Sequence, residues 1–368
     1  MTKLLLLFSA FLFHVALGTI VVSSKSHPKA DFSTVQGAID SLPNDNSSQV
    51  ILILTGDYTE QVNITRPGPV TLLGQTDDLT DASKNTVNLI WAAADGDDNY
   101  PDDEYTSTLT VSPTLDASLT GSGVTGFDVP DDTPFGNKDF RMYNINLQNI
   151  YANYSAGPAL AISFSRSNGG FYYCGFYSYQ DTVYIGKLGN AYFYESIIAG
   201  QTDFFYGFGT AWVQSSQILL RGCGGGITAW KGYNTTFENK YGIYIVDSRV
   251  TAANASVATE IVGQCALGRP WNSLDRTIFA RTYEDASIIS TGYINWLDDG
   301  VYRYNNHTLF AEYKAYGPGF NLTGRIEGGL DEIMTDEEYE PYSTPAKVFQ
   351  TPEGEFGNTA WIDTSPWN

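Results

Sequence analysis

Apolar positions along this chain fall in short bursts rather than in long helical stripes. Ile51 to Leu54, Val70 to Leu73, Thr106 to Val111, Phe140 to Leu147 and Ala161 to Phe164 are brief β-rich stretches, the pattern of short strands. One earlier segment differs. Val35, Ala38, Ile39 and Leu42 recur at helical spacing before Pro43, with Ser33 placed to cap a helix and Gln36 to complete a capping box. A short helix there would cover one end of whatever follows, and little in the strand region looks like a second helix.

The middle of the chain repeats at 20 to 22 residues: Phe171-Tyr172-Tyr173-Cys174-Gly175-Phe176, then Tyr192-Phe193-Tyr194-Glu195-Ser196-Ile197, then Ala211-Trp212-Val213-Gln214-Ser215-Ser216. Each unit is a short strand followed by glycine-rich or polar turn material. Such a unit cannot bury its own apolar face, but stacked coils share a continuous core. An antiparallel sandwich would also use short strands, at 8 to 12 residue spacing. The longer period favours an all-β, single-stranded β-helix.

Composition narrows the partners. The chain has 368 residues, with 20 Lys and Arg against 41 Asp and Glu and a formal charge of -21. That balance repels a phosphate backbone and an anionic bilayer, so nucleic acid is excluded as a partner and no stable membrane association is expected. At the N-terminus, Lys3, the apolar run Leu4 to Val15 and the small residues of Ala16-Leu17-Gly18 read as a secretory signal peptide over residues 1–18. Residues 19–368 would then form the β-helix domain with its capping helix. Seven Asn-x-Ser/Thr sites, at Asn46, Asn63, Asn153, Asn234, Asn254, Asn306 and Asn321, suit a secreted, extracellular glycoprotein.

Three cysteines, Cys174, Cys223 and Cys265, allow at most one internal bridge, so this is no disulfide scaffold. Cys174 lies in an aromatic run without a nearby His to activate it and reads as a buried structural thiol. The acidic stretch Asp95 to Glu104 lacks the glycine and terminal Glu of a calcium-binding loop and reads as a solvated loop. Gly224-Gly225-Gly226 lacks the spacing of a nucleotide-binding turn.

The repeat gives two acidic residues geometric meaning. Asp181 and Asp203 are 22 residues apart, about one coil, which would set them on neighbouring rungs of one outer face. Each carboxylate would raise the pKa of the other, separating a proton-holding acid from a charged nucleophile.

Motifs in order along the chain resemble those of the pectin methylesterases: Asp31-Phe32-Ser33-Thr34-Val35-Gln36, Gly56-Asp57-Tyr58-Thr59-Glu60, Tyr179-Gln180-Asp181-Thr182, Thr202-Asp203-Phe204-Phe205-Tyr206-Gly207, Leu267-Gly268-Arg269-Pro270-Trp271 and Gly317-Pro318-Gly319. The resemblance implies a right-handed parallel β-helix that removes methyl esters from homogalacturonan without a cofactor or metal. It assigns nucleophilic attack to Asp203, general acid and then base chemistry to Asp181, and orientation of Asp203 to Arg269. It makes Gln180 an oxyanion donor and places Trp271, Tyr184 and Tyr206 along the sugar path. The expected partner is methyl-esterified homogalacturonan, bound by a monomer.

One departure stands out. The family's second amide donor lies in a Gln-Ala-x-Ala segment, whereas this chain reads Pro158-Ala159-Leu160-Ala161. Proline has no amide side chain and no N–H, so it cannot replace that donor directly. A weakly active or non-catalytic pectin-binding protein, a lyase and a glycosidase are the competing readings, separable by methanol release and by whether the polymer shortens.

Overall fold

The short strands pair in parallel with their equivalents one coil later, building three stacked sheets of 11, 8 and 7 strands. This is the right-handed parallel β-helix expected. The computed structural model describes residues 19–96, 99–100, 102–119, 130, 132–233, 238–364 and 366. The N-terminal segment read as an export signal lies outside these residues.

One coil runs Asn190–Tyr194, Ile197–Thr202, Phe205–Gly207; the next runs Thr210–Gln214, Gln217–Gly224, Gly226–Trp230. Alternation along each strand sends every second side chain inwards. Phe171, Phe193 and Val213 therefore share one register, and Phe171 stacks on Phe193 with centroids 4.8 Å apart. Polar ladders tie the coils where the chain turns. Cys174 N donates to Ser196 Oγ, Ser196 N to Ser216 Oγ and Ser216 N to Ser248 Oγ, each at 3.1 Å. Cys174 is thus a buried member of a hydroxyl ladder, and burial pushes its thiol up to about 12. Cys223 and Cys265 form the one disulfide.

The N-terminal helix is present at Val35–Asp40, but Thr34 caps it by accepting from Gly37 N. Ser33 does not, because Glu60 reaches across from a later turn and accepts from Val35 N and Gln36 N at 2.8 and 2.9 Å. A tertiary carboxylate satisfies the donors that a local capping box would have taken, and Gln36 turns instead to Asp40. Phe140 to Leu147 is two strands, Phe140–Tyr143 and Ile145–Asn149, broken at a left-handed Asn144. Thr106 to Val111 contains only the strand Leu109–Val111, preceded by a 3₁₀ turn at Asp103–Thr106.

Helices that the apolar pattern did not announce lie late in the chain, at Ala255–Glu260, Leu322–Gly328, Asp336–Tyr339 and Pro345–Val348. They are too short to show a periodic stripe and rest on caps such as the Thr335/Glu338 capping box. Tyr339, Val348, Phe349 and Trp361 from this region join Tyr143, Tyr172, Tyr192, Trp212 and Tyr244 in a second apolar cluster over the outer face of the long sheet.

Candidate active site

The turn between the second and third sheets takes the left-handed conformation on three successive coils, at Asp181 (φ 58°), Asp203 (φ 47°) and Gly225 (φ 59°). Asp tolerates this backbone through its short polar side chain. The flanking strands fix the register: Gln180 bridges Thr202, and Val183 pairs with Phe205. Asp181 and Asp203 therefore sit on adjacent rungs, about 4.8 Å apart along the stack by strand spacing.

Gly225 is small for a specific reason. A Cβ there would lie 2.5 Å from Asp203 Oδ1 and 2.7 Å from Arg269 Nε. The space is filled by an ion pair: Arg269 Nε donates to Asp203 Oδ1 and Oδ2 at 3.0 and 3.1 Å, and Nη2 donates to Oδ2 at 2.5 Å. Gly226 N donates to Oδ1 at 2.9 Å. The triple glycine thus serves a carboxylate rather than a nucleotide. The guanidinium lies 3.6 Å from the ring centroid of Trp296, which fixes its plane.

The two carboxyls experience different fields. Asp203 is 6% exposed, and its burial pushes the pKa up while Arg269 and Gly226 push it down. Asp181 is 8% exposed and is raised well above the usual carboxylate range, first by burial, then by the charges of Asp103 and Asp203, with only a through-space opposition from Arg269. Arg269 and Gly226 thus favour the charged form of Asp203, although burial leaves its pKa above the ordinary value, while Asp181 is pushed further towards its protonated form.

Asp181, Asp203, Gln180, Arg269, Trp271 and Tyr206 line one cleft of about 250 Å³, together with Asp103, Ala229 and Trp296. Tyr184 is not among them. It is in register with Tyr206 and points out of the helix, but it is 0% exposed. Its ring lies 4.8 Å from that of Tyr206 and packs with Leu160. In place of the sugar-path role expected of it, Tyr184 supports Tyr206 from below.

The acidic stretch before residue 105 also departs from expectation, although Asp97, Asp98 and Pro101 lie outside the described residues. Asp102 and Glu104 are buried, Glu104 at 1% exposure, and Asp103 lines the cleft. Burial, then the charges of Asp102 and Asp103, push the Glu104 carboxyl well above the carboxylate range. Lys231 sits nearby with its Nζ 3.8 Å from the Trp271 centroid, and burial pulls its pKa down to about 8. The sequence reads as a solvated loop because the stretch lacks the glycine and terminal Glu of a calcium-binding loop. In the fold, Ser107 N donates to Glu104 O at 3.4 Å and the chain runs on into strand Leu109–Val111 of the third sheet. Asp103 and Trp296 had no sequence signal of their own, since they enter the cleft from loops far from both motifs.

Comparison with known proteins agrees with this geometry. The family model described as Pectinesterase matches residues 124–351. A probable pectinesterase A from Aspergillus niger is 30% identical over 335 residues, covering 91% of this chain and 86% of that protein. The solved pectin methylesterase PemA from Erwinia chrysanthemi superposes with a TM-score of 0.71 at 25% identity, covering 90% of this chain and 98% of that one. A pectin methylesterase solved in complex with a hexasaccharide matches with a TM-score of 0.70 at 25% identity and the same coverage.

Proposed function

This chain belongs to the pectinesterase family, and from that premise we propose that it hydrolyses the methyl esters of homogalacturonan, releasing methanol through an aspartyl acyl-enzyme. One observation carries the reading: a carboxyl clamped by a guanidinium stands one rung from a second, buried carboxyl that has no such clamp and is pushed well above the usual carboxylate range.

The Asp203 carboxylate attacks the ester carbonyl carbon, and the bond from that carbon to the methoxy oxygen breaks. Asp181 gives its proton to the departing oxygen, yielding methanol and an acyl anhydride on Asp203. Asp181, now a carboxylate, takes a proton from water as the water attacks the anhydride. The products are a galacturonic acid group that releases its remaining proton to solvent, Asp203 again as a carboxylate, and reprotonated Asp181. Gln180 supplies an amide donor towards the oxygen on which charge develops. Trp271, Trp296 and Tyr206 give the cleft flat apolar surfaces suited to sugar faces.

The same reading extends to where the protein works. The Cys223–Cys265 bridge suits an oxidising compartment, and the sequon residues Asn46, Asn153, Asn254, Asn306 and Asn321 are exposed. Asn234 lies outside the described residues. Among the described residues, no helix is long and apolar enough to cross a membrane. A monomer secreted after removal of residues 1–18 is the form proposed to meet pectin.

The deciding experiment incubates the purified protein with highly methylated pectin and follows both methanol and polymer length. Methanol without shortening is expected. Shortening by hydrolysis would transfer the carboxylate pair to glycosidase chemistry, an unsaturated sugar end would indicate a lyase, and neither product would leave a pectin-binding protein.

A further inference from the structure

We propose that Ser155 is a positioning residue for Gln180, holding its amide with the nitrogen turned into the cleft. The inference rests on the esterase reading and concerns how this chain manages without the second amide that Pro158 replaces.

Ser155 belongs to the loop between strands Ile145–Asn149 and Ile162–Phe164. Its Oγ lies 2.8 Å from Gln180 Oε1 and 2.8 Å from Thr202 Oγ1. A carbonyl oxygen only accepts, so Ser155 donates to Gln180 Oε1, with Thr202 Oγ1 as the second acceptor within reach of the same proton. The reverse amide orientation would set the Gln180 oxygen, an acceptor, towards the cleft that holds the Asp203 carboxylate. Ser155 selects the orientation that presents N–H.

The next rung leaves room for this contact. Thr202 pairs with Gly224 in the sheet, and a Cβ on Gly224 would come within 2.4 Å of Thr202 Oγ1. Any larger residue there would displace the hydroxyl that lies against Ser155. The same loop also ties itself to the coil through Asp95 N donating to Pro158 O at 2.9 Å and Ala159 N donating to Gln180 O at 3.1 Å. Pro158 therefore contributes backbone anchoring, while the side-chain chemistry of its loop passes to Ser155. Ser155 does not take over the missing donor's contact with the ester; it orders the donor that is left.

The test compares kcat and KM for methanol release from methylated pectin among wild type, Ser155→Ala, Ser155→Thr, Gln180→Ala and the Ser155→Ala/Gln180→Ala double variant. Because Ser155 completes the Asn153 sequon, Asn153→Gln serves as the control for lost glycosylation. Losing one orienting hydrogen bond predicts a kcat for Ser155→Ala about tenfold lower, with KM changed less than about twofold. Ser155→Thr should recover most of the loss, and the double variant should be no slower than Gln180→Ala alone. A wild-type kcat in Ser155→Ala, a loss that multiplies with that of Gln180→Ala, or an equal loss in Asn153→Gln would overturn the proposal. Absence of methanol from the wild type would instead overturn the esterase reading and this inference with it.

Discussion

Arg269 grips Asp203 through both carboxylate oxygens, with Nε 3.0 Å from Oδ1 and Nη2 2.5 Å from Oδ2. A two-point contact favours the charge and fixes the plane of the carboxylate, leaving the unclamped Asp181 as the more strongly raised of the two carboxyls. The first prediction follows from this asymmetry. Asp203→Asn should lower methanol release by about a thousandfold or more, since a neutral amide cannot form the acyl intermediate. Asp181→Asn should also stop turnover by removing the transferable proton. Circular dichroism should show β structure retained in both. Near-native turnover by either folded variant would remove its assigned role.

Gly225 offers a test that leaves every functional group in place. An added Cβ would collide with both Asp203 Oδ1 and Arg269 Nε, at a backbone φ of 59° that side chains other than Gly, Asn and Asp rarely adopt. Gly225→Ala should therefore cut kcat at least about tenfold by displacing the ion pair. Unchanged kinetics, with a structure showing the Arg269–Asp203 contact intact, would contradict this account.

Asp103 should appear in the pH profile. Burial is the largest cause of the raised Asp181 pKa, and the Asp103 charge is the next. Asp181 must be protonated to act as the acid, so activity falls as pH rises through its pKa. Removing the neighbouring charge lowers that pKa, and Asp103→Asn should move the alkaline limb of kcat against pH to lower pH. An unmoved limb, or one displaced upwards, would show that Asp103 does not act on Asp181.

Arg325 should matter for stability. Its side chain is wholly buried and meets Glu312 Oε2 at 2.5 Å, Glu284 Oε2 at 2.7 Å and Asp331 Oδ2 at 3.2 Å, all buried. Nη1 also donates to the carbonyls of Ile289 and Ser290 at 2.8 and 2.9 Å. Arg325→Met strips three buried carboxyls of their cation and should reduce unfolding free energy by about 3–5 kcal/mol. Equilibrium denaturation in urea measures it, and a midpoint equal to wild type would show that the carboxyls neutralise without cost.

The order and period of the motifs carried far. The 20 to 22 residue repeat encodes the coil because each strand must meet its equivalent one turn later. The same period places Asp181 and Asp203 on adjacent rungs and reaches Gly225 on the third. The buried state of Cys174 was legible from its aromatic neighbours, which straddle the turn between strands Asn168–Tyr172 and Gly175–Tyr177.

What the sequence by itself determined was the coil, the rungs of the paired carboxylates and the family of motifs that includes Arg269 and Trp271. Tertiary structure alone decided which outward side chains meet the cleft. Tyr184 and Tyr206 occupy equivalent outward positions on successive coils, yet one is sealed in and the other lines the cleft, because the loops packed over each coil differ. The connecting segments also bring Asp103 and Trp296 into the cleft with the carboxylates, and Ser155 onto Gln180. Strand periodicity specifies height along the stack and the side on which a residue projects. It carries no information about the path of a loop, which is set by scattered contacts such as Asp95 to Pro158 and Ser155 to Gln180.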